Sequence, residues 1–354
     1  MAGLSNEAYG WVICAMACWI SSSFGTSNYT FSIIIGPLVK EFDSSLVTMS
    51  VGWECIDALM FLMAPICAVV GKSLGHRRAL AISCILAFTS VASSVLVKSD
   101  WQFIVLYCIL PGMCFSMMNI CTILIFITYF DEKLGIANGF YKGCQRLGSV
   151  LHSVPINYLA LHYGHEYNSM YMAALFLVCL SLMAFFYPNP VEKESSLSGG
   201  CSSSYQPIEH KRYSVWARGF FYTHILFYWI GFTMVYGYIV ELVELQAVRQ
   251  ITTFERGLIV LTHSLATGTY CILAPIIAHG FAIAPQLMVA AHLLVNILVL
   301  MFFTIATNFY CLLALVGVFG ICNATQPAFA APTSLGLHPS KSPELAIALT
   351  YIQA

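Results

Sequence analysis

Charge is what this chain has least of. It holds 15 basic and 16 acidic residues among 354, or 9% charged, against 59% hydrophobic and a mean hydropathy of +0.80. A soluble globular chain carries roughly a quarter charged residues, so these few cannot clothe a soluble surface of this size. A soluble enzyme and a disordered regulator are excluded. A nucleic-acid binder goes too, because a net charge of −1 offers phosphates no basic field. The sequence also lacks a P-loop, a G-x-S-x-G and an H-E-x-x-H. Neither ATP hydrolysis nor a covalent nucleophile is expected, and no enzyme activity, metal or cofactor. Paired loop cysteines are missing as well. The 14 cysteines sit mostly inside apolar runs such as Ile13-Cys14-Ala15-Met16-Ala17-Cys18, where they read as small packing residues. No cleavable signal peptide is expected, since apolar runs begin near Tyr9 and keep coming.

What is abundant is long apolar sequence. A hydrocarbon core of roughly 30 Å needs about 20 helical residues. Ten runs meet that length: Tyr9–Ile35, Val47–Val70, Ala79–Val97, Trp101–Tyr129, Ile136–Leu161, Met170–Tyr187, Trp216–Val243, Gly257–His279, Ala284–Ala306 and Phe309–Ser334. An eleventh starts near Pro343 and stops at Ala354, too short to satisfy its backbone across lipid. The expectation is an all-α polytopic membrane protein of twelve-helix architecture, truncated within helix 11. Between spans six and seven lies a Ser/Gly-rich stretch, Ser195-Ser196-Leu197-Ser198-Gly199-Gly200 and Ser202-Ser203-Ser204, that reads as a flexible linker. The expected organisation is a six-helix bundle over 1–188, a linker over 189–215 and an incomplete second bundle over 216–354.

Orientation follows from Lys and Arg in the loops. Lys72, Arg77, Arg78, Lys133, Lys193, Lys211, Arg212, Arg218 and Lys341 fall on one side, and only Lys40, Lys98, Arg249 and Arg256 on the other. That bias places the N-terminus and the linker in the cytoplasm.

Few charges lie within the spans, and each costs roughly 2.5–3.5 kcal/mol to insert. Glu54 and Asp57 in span two are three apart, and Lys142 and Arg146 in span five are four apart, so each pair shares a helix face. A rise of about 1.5 Å per residue puts Asp57 and Arg146 near the midplane, where transporter sites sit. Lys142 and Arg146 are candidates to hold a substrate carboxylate, Arg by its bidentate fork and Lys as a point charge. Asp57 and Glu54 are candidate proton-coupling groups. An internal ion pair, with Lys142 snorkelling to the interface, is the bland alternative. Asn119 in span four and Asn323 and Gln326 in span ten are candidate cavity hydrogen-bonders, weighed evenly against bonding between helices. His224, His263 and His292 read as packing residues. Pro65, Pro111, Pro275, Pro327 and Pro332 read as kinks. The sequons at Asn28 and Asn323 lie inside spans and should be unused.

Six spans, a polar linker and a second block of spans resemble the major facilitator superfamily, built from two repeated halves. Three local patterns resemble its monocarboxylate transporter family: Tyr9-Gly10-Trp11 opening span one, Gly75-His76-Arg77-Arg78 after span two, and Tyr129-Phe130-Asp131-Glu132-Lys133-Leu134-Gly135-Ile136-Ala137-Asn138-Gly139 running on to Gly148. Gly139, Gly143 and Gly148 should let helix backbones approach closely. The resemblance implies a two-bundle fold, a small organic anion as substrate with a coupled proton, a plasma-membrane location and a single-span glycoprotein chaperone as partner. The family's lysine in span one has no counterpart before Lys40. Tyr270 and Ala274 stand where its acid–arginine pair precedes the span-eight proline, here Pro275. Two readings follow: a secondary transporter or facilitator working by alternating access, and a membrane sensor or scaffold that keeps the fold without the transport.

Overall fold

Lipid offers the backbone no hydrogen bonds, so each crossing segment must close its own ladder as a helix. The computed structural model describes residues 6–130, 132–186, 253–306 and 308–337, and among these every regular element is helical. Span one is Asn6–Glu41, span three His76–Ser93, span five Leu134–His162 and span six His165–Leu182. Spans eight, nine and ten are Thr253–Gly280, Pro285–Ile305 and Phe309–Leu337. Span seven, the linker and the apolar run after Pro343 lie outside the described residues.

Two spans are broken, each beside a proline. Span two is Leu46–Leu62 followed by Ala64–Leu74, bent by 54°. Pro65 has no N–H for the Phe61 carbonyl, so the ladder stops at Met63, whose own N–H still reaches Leu59 O at 3.1 Å. Span four runs Asp100–Phe103, then a π-helical turn Ile104–Ile109, then Leu110–Ile127. The wide turn precedes Pro111, which cannot donate to it. The Ser90 hydroxyl of span three donates instead to Leu106 O at 2.6 Å.

Among the described residues, six helices are long and apolar enough to cross a membrane, or seven with the bent pair counted as one. Span five is not among them. Its 29 residues include Lys142, Gln145, Arg146, Ser149 and His152, so it depends on protein neighbours to shelter it. Those neighbours are span one on one side and spans eight and ten on the other. Span three packs on spans four and six, and span ten on spans eight and nine. Span five is thus the strut that joins the two bundles. The first bundle is cored by the offset ring series Phe24, Phe115 and Phe176, at 5.6 Å between successive centroids. Large apolar side chains such as Leu151, Val154, Leu294, Met301 and Ile305 are left exposed, as a lipid-facing surface requires.

The glycines of span five mark its close approaches. A β-carbon on Gly139 would sit 2.5 Å from Cys271 O and 2.8 Å from Pro275 Cγ, and one on Gly143 would sit 2.7 Å from Gly268 O. Both face span eight. Gly148 faces the other way, where a β-carbon would collide with the Ser22 hydroxyl of span one. Small residues therefore set the helix spacing on both sides.

At the end where span one starts, three stretches far apart in sequence meet. Arg77 donates to the Tyr129 hydroxyl and its guanidinium lies 5.8 Å from that ring. Gly10 abuts Tyr129, Trp11 packs edge-on against Phe130 at 4.9 Å, and Lys133 pairs with Glu7. These are the same three patterns that carry the family resemblance.

Candidate functional site

The face of span five toward spans two, four and eight gathers the charged residues. Lys142 is buried and its Nζ donates to Asn119 Oδ1 of span four at 2.7 Å. The same ammonium lies 5.3 Å from the centre of the Tyr141 ring. A charge-assisted bond in such a setting contributes about 1.5–3 kcal/mol. It answers the insertion cost without any snorkelling to the interface.

One turn further along, Arg146 is half-buried. Its β-carbon lies 3.2 Å from where a β-carbon on Gly268 of span eight would sit, so the side chain starts from the face of span five that meets the second bundle. Asp57 of span two, half-buried, and His263 of span eight both lie within its electrostatic reach. Glu54 acts on Asp57 from one turn away and is itself exposed. Cys271 of span eight feels both Arg146 and Lys142. The result is two basic side chains and one carboxyl gathered where spans two, four, five and eight come together.

Asn119 thus joins Lys142 directly. Asn323 does something else: it accepts a bond from Asn296 Nδ2 of span nine at 2.8 Å. Gln326, one turn on, is also buried. Sequence reasoning passed over Asn296, since a single amide in an apolar run has no pattern until its partner is seen. His263 read as packing; it does contact the Phe319 ring at 5.9 Å, but it also faces Arg146. His292 is the plain packing case, with Nδ1 2.7 Å from Met288 O in its own helix. No group of three metal-ligating side chains occurs among the described residues. The described cysteines are free thiols, mostly buried.

A cavity of about 330 Å³ lies near the start of span five, lined among others by Glu132, Ile136, Pro275, His279 and Phe329. It draws on both bundles and sits at the end where span one starts.

The family model described as Major Facilitator Superfamily matches residues 15–349. The chain belongs to the major facilitator superfamily. Among curated relatives, monocarboxylate transporter 10 of Mus musculus is 24% identical over 236 residues, covering 60% of this chain and 45% of the relative. The Homo sapiens protein of the same name is 23% identical over 203 residues, covering 55% and 39%. This chain therefore spans less than half the length of those relatives. Among solved structures, the proton:xylose symporter XylE bound to 6-bromo-6-deoxy-D-glucose aligns with a TM-score of 0.71 at 14% identity, over 99% of this chain and 87% of that one. FucP in the outward conformation aligns at 0.69 and 13%, over 98% and 89%. The fold is shared across both. The chain is a multi-pass membrane protein with a transporter fold.

Proposed function

We propose that this protein moves a small carboxylate-bearing solute across the membrane by alternating access, with Arg146 and Lys142 as the anion-binding pair. The observation that carries this is Arg146 itself. Arg146 sits on the strut between bundles with its β-carbon close to Gly268 of the second bundle, so a solute lying between the bundles can reach its charge. Lys142 adds a second positive charge one turn away, fixed by Asn119. Asp57 balances part of this charge and is the group best placed to take up a proton when an anion displaces it. Glu54 is the second candidate for that role. Asn119 serves as the positioning partner of Lys142, and Gln326 as the polar wall of span ten, while Asn323 is engaged with Asn296.

The same reading supplies an orientation. The Lys/Arg bias puts the start of span one, with its Glu7–Lys133 pair and the Arg77–Tyr129 contact, on the cytoplasmic side. A plasma-membrane location and a single-span chaperone go with the monocarboxylate transporter-like family.

The test is uptake into cells expressing the chain, read across a panel of radiolabelled small carboxylates and their neutral amides and normalised to surface protein. The reading expects at least one carboxylate to accumulate and its amide not to. Surface protein with no uptake of any member defeats the reading and leaves the sensor or scaffold. Orientation is checked separately with a membrane-impermeant thiol reagent, which should label Cys201 only in opened cells.

A further inference from the structure

Asn138 lies two turns before Arg146, close to the cytoplasmic end of span five. Its side chain is fully buried. Its Nδ2 donates to two carbonyls of span ten, Ala328 O at 2.8 Å and Pro327 O at 3.0 Å. The Ala328 carbonyl is the one that Pro332, four residues on, cannot satisfy, because proline has no N–H. A buried carbonyl without a donor is costly, and here the missing donor comes from the other bundle. Immediately beside this bond, Gly139 lets span eight approach to contact at Cys271 and Pro275, and Gly143 continues the contact to Gly268. Spans eight and ten are thus packed directly against span five from Asn138 up to Arg146.

We propose that Asn138 is a latch: by filling the carbonyl that Pro332 leaves open, it favours the state in which the cytoplasmic ends of spans five and ten are closed and the site opens to the other side. Opening the cytoplasmic end separates span five from span ten, strands Ala328 O and frees the Asn138 amide. Both groups then bond to water instead, and the closed state is preferred by the net difference between the two. The latch borrows its orientation and alternating access from the proposed function, but its test needs no substrate.

The experiment is hydrogen–deuterium exchange on the full chain in lipid nanodiscs without substrate, comparing wild type with Asn138→Leu. The variant keeps the volume and removes the donor. Exchange over residues 134–143 and 324–334 should rise about tenfold, with residues 9–27 unchanged. In a Pro332→Ala background span ten supplies its own donor to Ala328 O, so the same substitution should change exchange by less than about threefold. Unchanged exchange in Asn138→Leu, or a full tenfold rise retained in the Pro332→Ala background, overturns the latch. Should Asn138→Leu not fold, Asn138→Ser, too short to span the gap, is read by the same two criteria. A failure of carboxylate uptake would leave this result standing, so the two ideas fall separately.

Discussion

Both bundles bury amides and hydroxyls at mid-depth, but they dispose of them differently. In the first bundle, polar groups from spans two, four and five converge on the side of span five that meets span eight, and they carry net charge: Lys142 and Arg146 against Asp57. In the second, Asn296 and Asn323 turn toward each other between two neighbouring helices and carry none. Interhelical bonds of the second kind contribute about 0.6 kcal/mol on average and at most about 1.7, which is enough to set a helix pair in register. Charges cost more than packing needs, roughly 2.5–3.5 kcal/mol each on insertion scales. The difference teaches that depth alone does not mark a site. On the proposed reading, what marks it is a charge retained at the seam between bundles.

The sharpest way to break this comparison is to remove the seam charge. Arg146→Gln should cut surface-normalised carboxylate uptake by tenfold to over a hundredfold, the equivalent of about 1.5–3 kcal/mol. Arg146→Lys should recover part of it, since an ammonium lacks the bidentate fork. If the variant is instead lost from the surface and Asp57→Asn restores its expression, Arg146 is the structural partner of Asp57. The asymmetry between bundles would then be one of folding.

Next in size is the Lys142–Asn119 bond. Lys142→Met leaves Asn119 Oδ1 buried without its donor, and uptake should fall by about tenfold with a loss of thermal stability near 1–3 kcal/mol. Asn119→Leu strands the ammonium and should cost more in expression. The double variant should be better tolerated than the sum of the two, with a coupling of about 0.5–3 kcal/mol in a double-mutant cycle. Additive losses would mean that the two residues act apart, and that Lys142 is held by something other than this bond.

Which of these features the sequence could show follows from what each depends on. Helical spans are legible because lipid forces them: the nine described spans fall on nine of the ten runs read from hydropathy, with ends moved by a few residues. Pro65 and Pro111 announce kinks, but only the chain's neighbours decide their form. At Pro65 the ladder stops and restarts at 54°, while at Pro111 it widens into a π turn with Ser90 as outside donor. Gly139, Gly143 and Gly148 announce close approach, yet not that two of them face span eight and the third span one. Lys142 and Asn119 each stand out alone as polar residues in apolar runs. That they bond depends on spans four and five being adjacent at matching depth, which no local pattern encodes. Asn138 is harder still, because its partner is a backbone carbonyl made available by a proline nearly two hundred positions away.

The smallest expected effect tests the other side of the comparison. Asn323 is a candidate for the polar wall by its position in span ten, yet its oxygen is taken by Asn296, and Asn323 Nδ2 and Asn296 Oδ1 are both buried without a partner. A half-satisfied amide pair gains little over an apolar contact of the same shape. Replacing both residues, Asn296→Leu with Asn323→Leu, should therefore leave uptake within about twofold of wild type and shift stability by less than about 1 kcal/mol. Replacing Asn323 alone leaves the Asn296 amide stranded and should cost about 1–2 kcal/mol in stability, again without a matching loss of uptake per folded molecule. The measurement is thermal unfolding in detergent beside surface-normalised uptake for the single and double variants. A tenfold loss of uptake in the double variant, with normal folding, would put span ten's amides in contact with the solute. The site would then belong to both bundles equally, and the contrast between a charged seam and a neutral brace would fail.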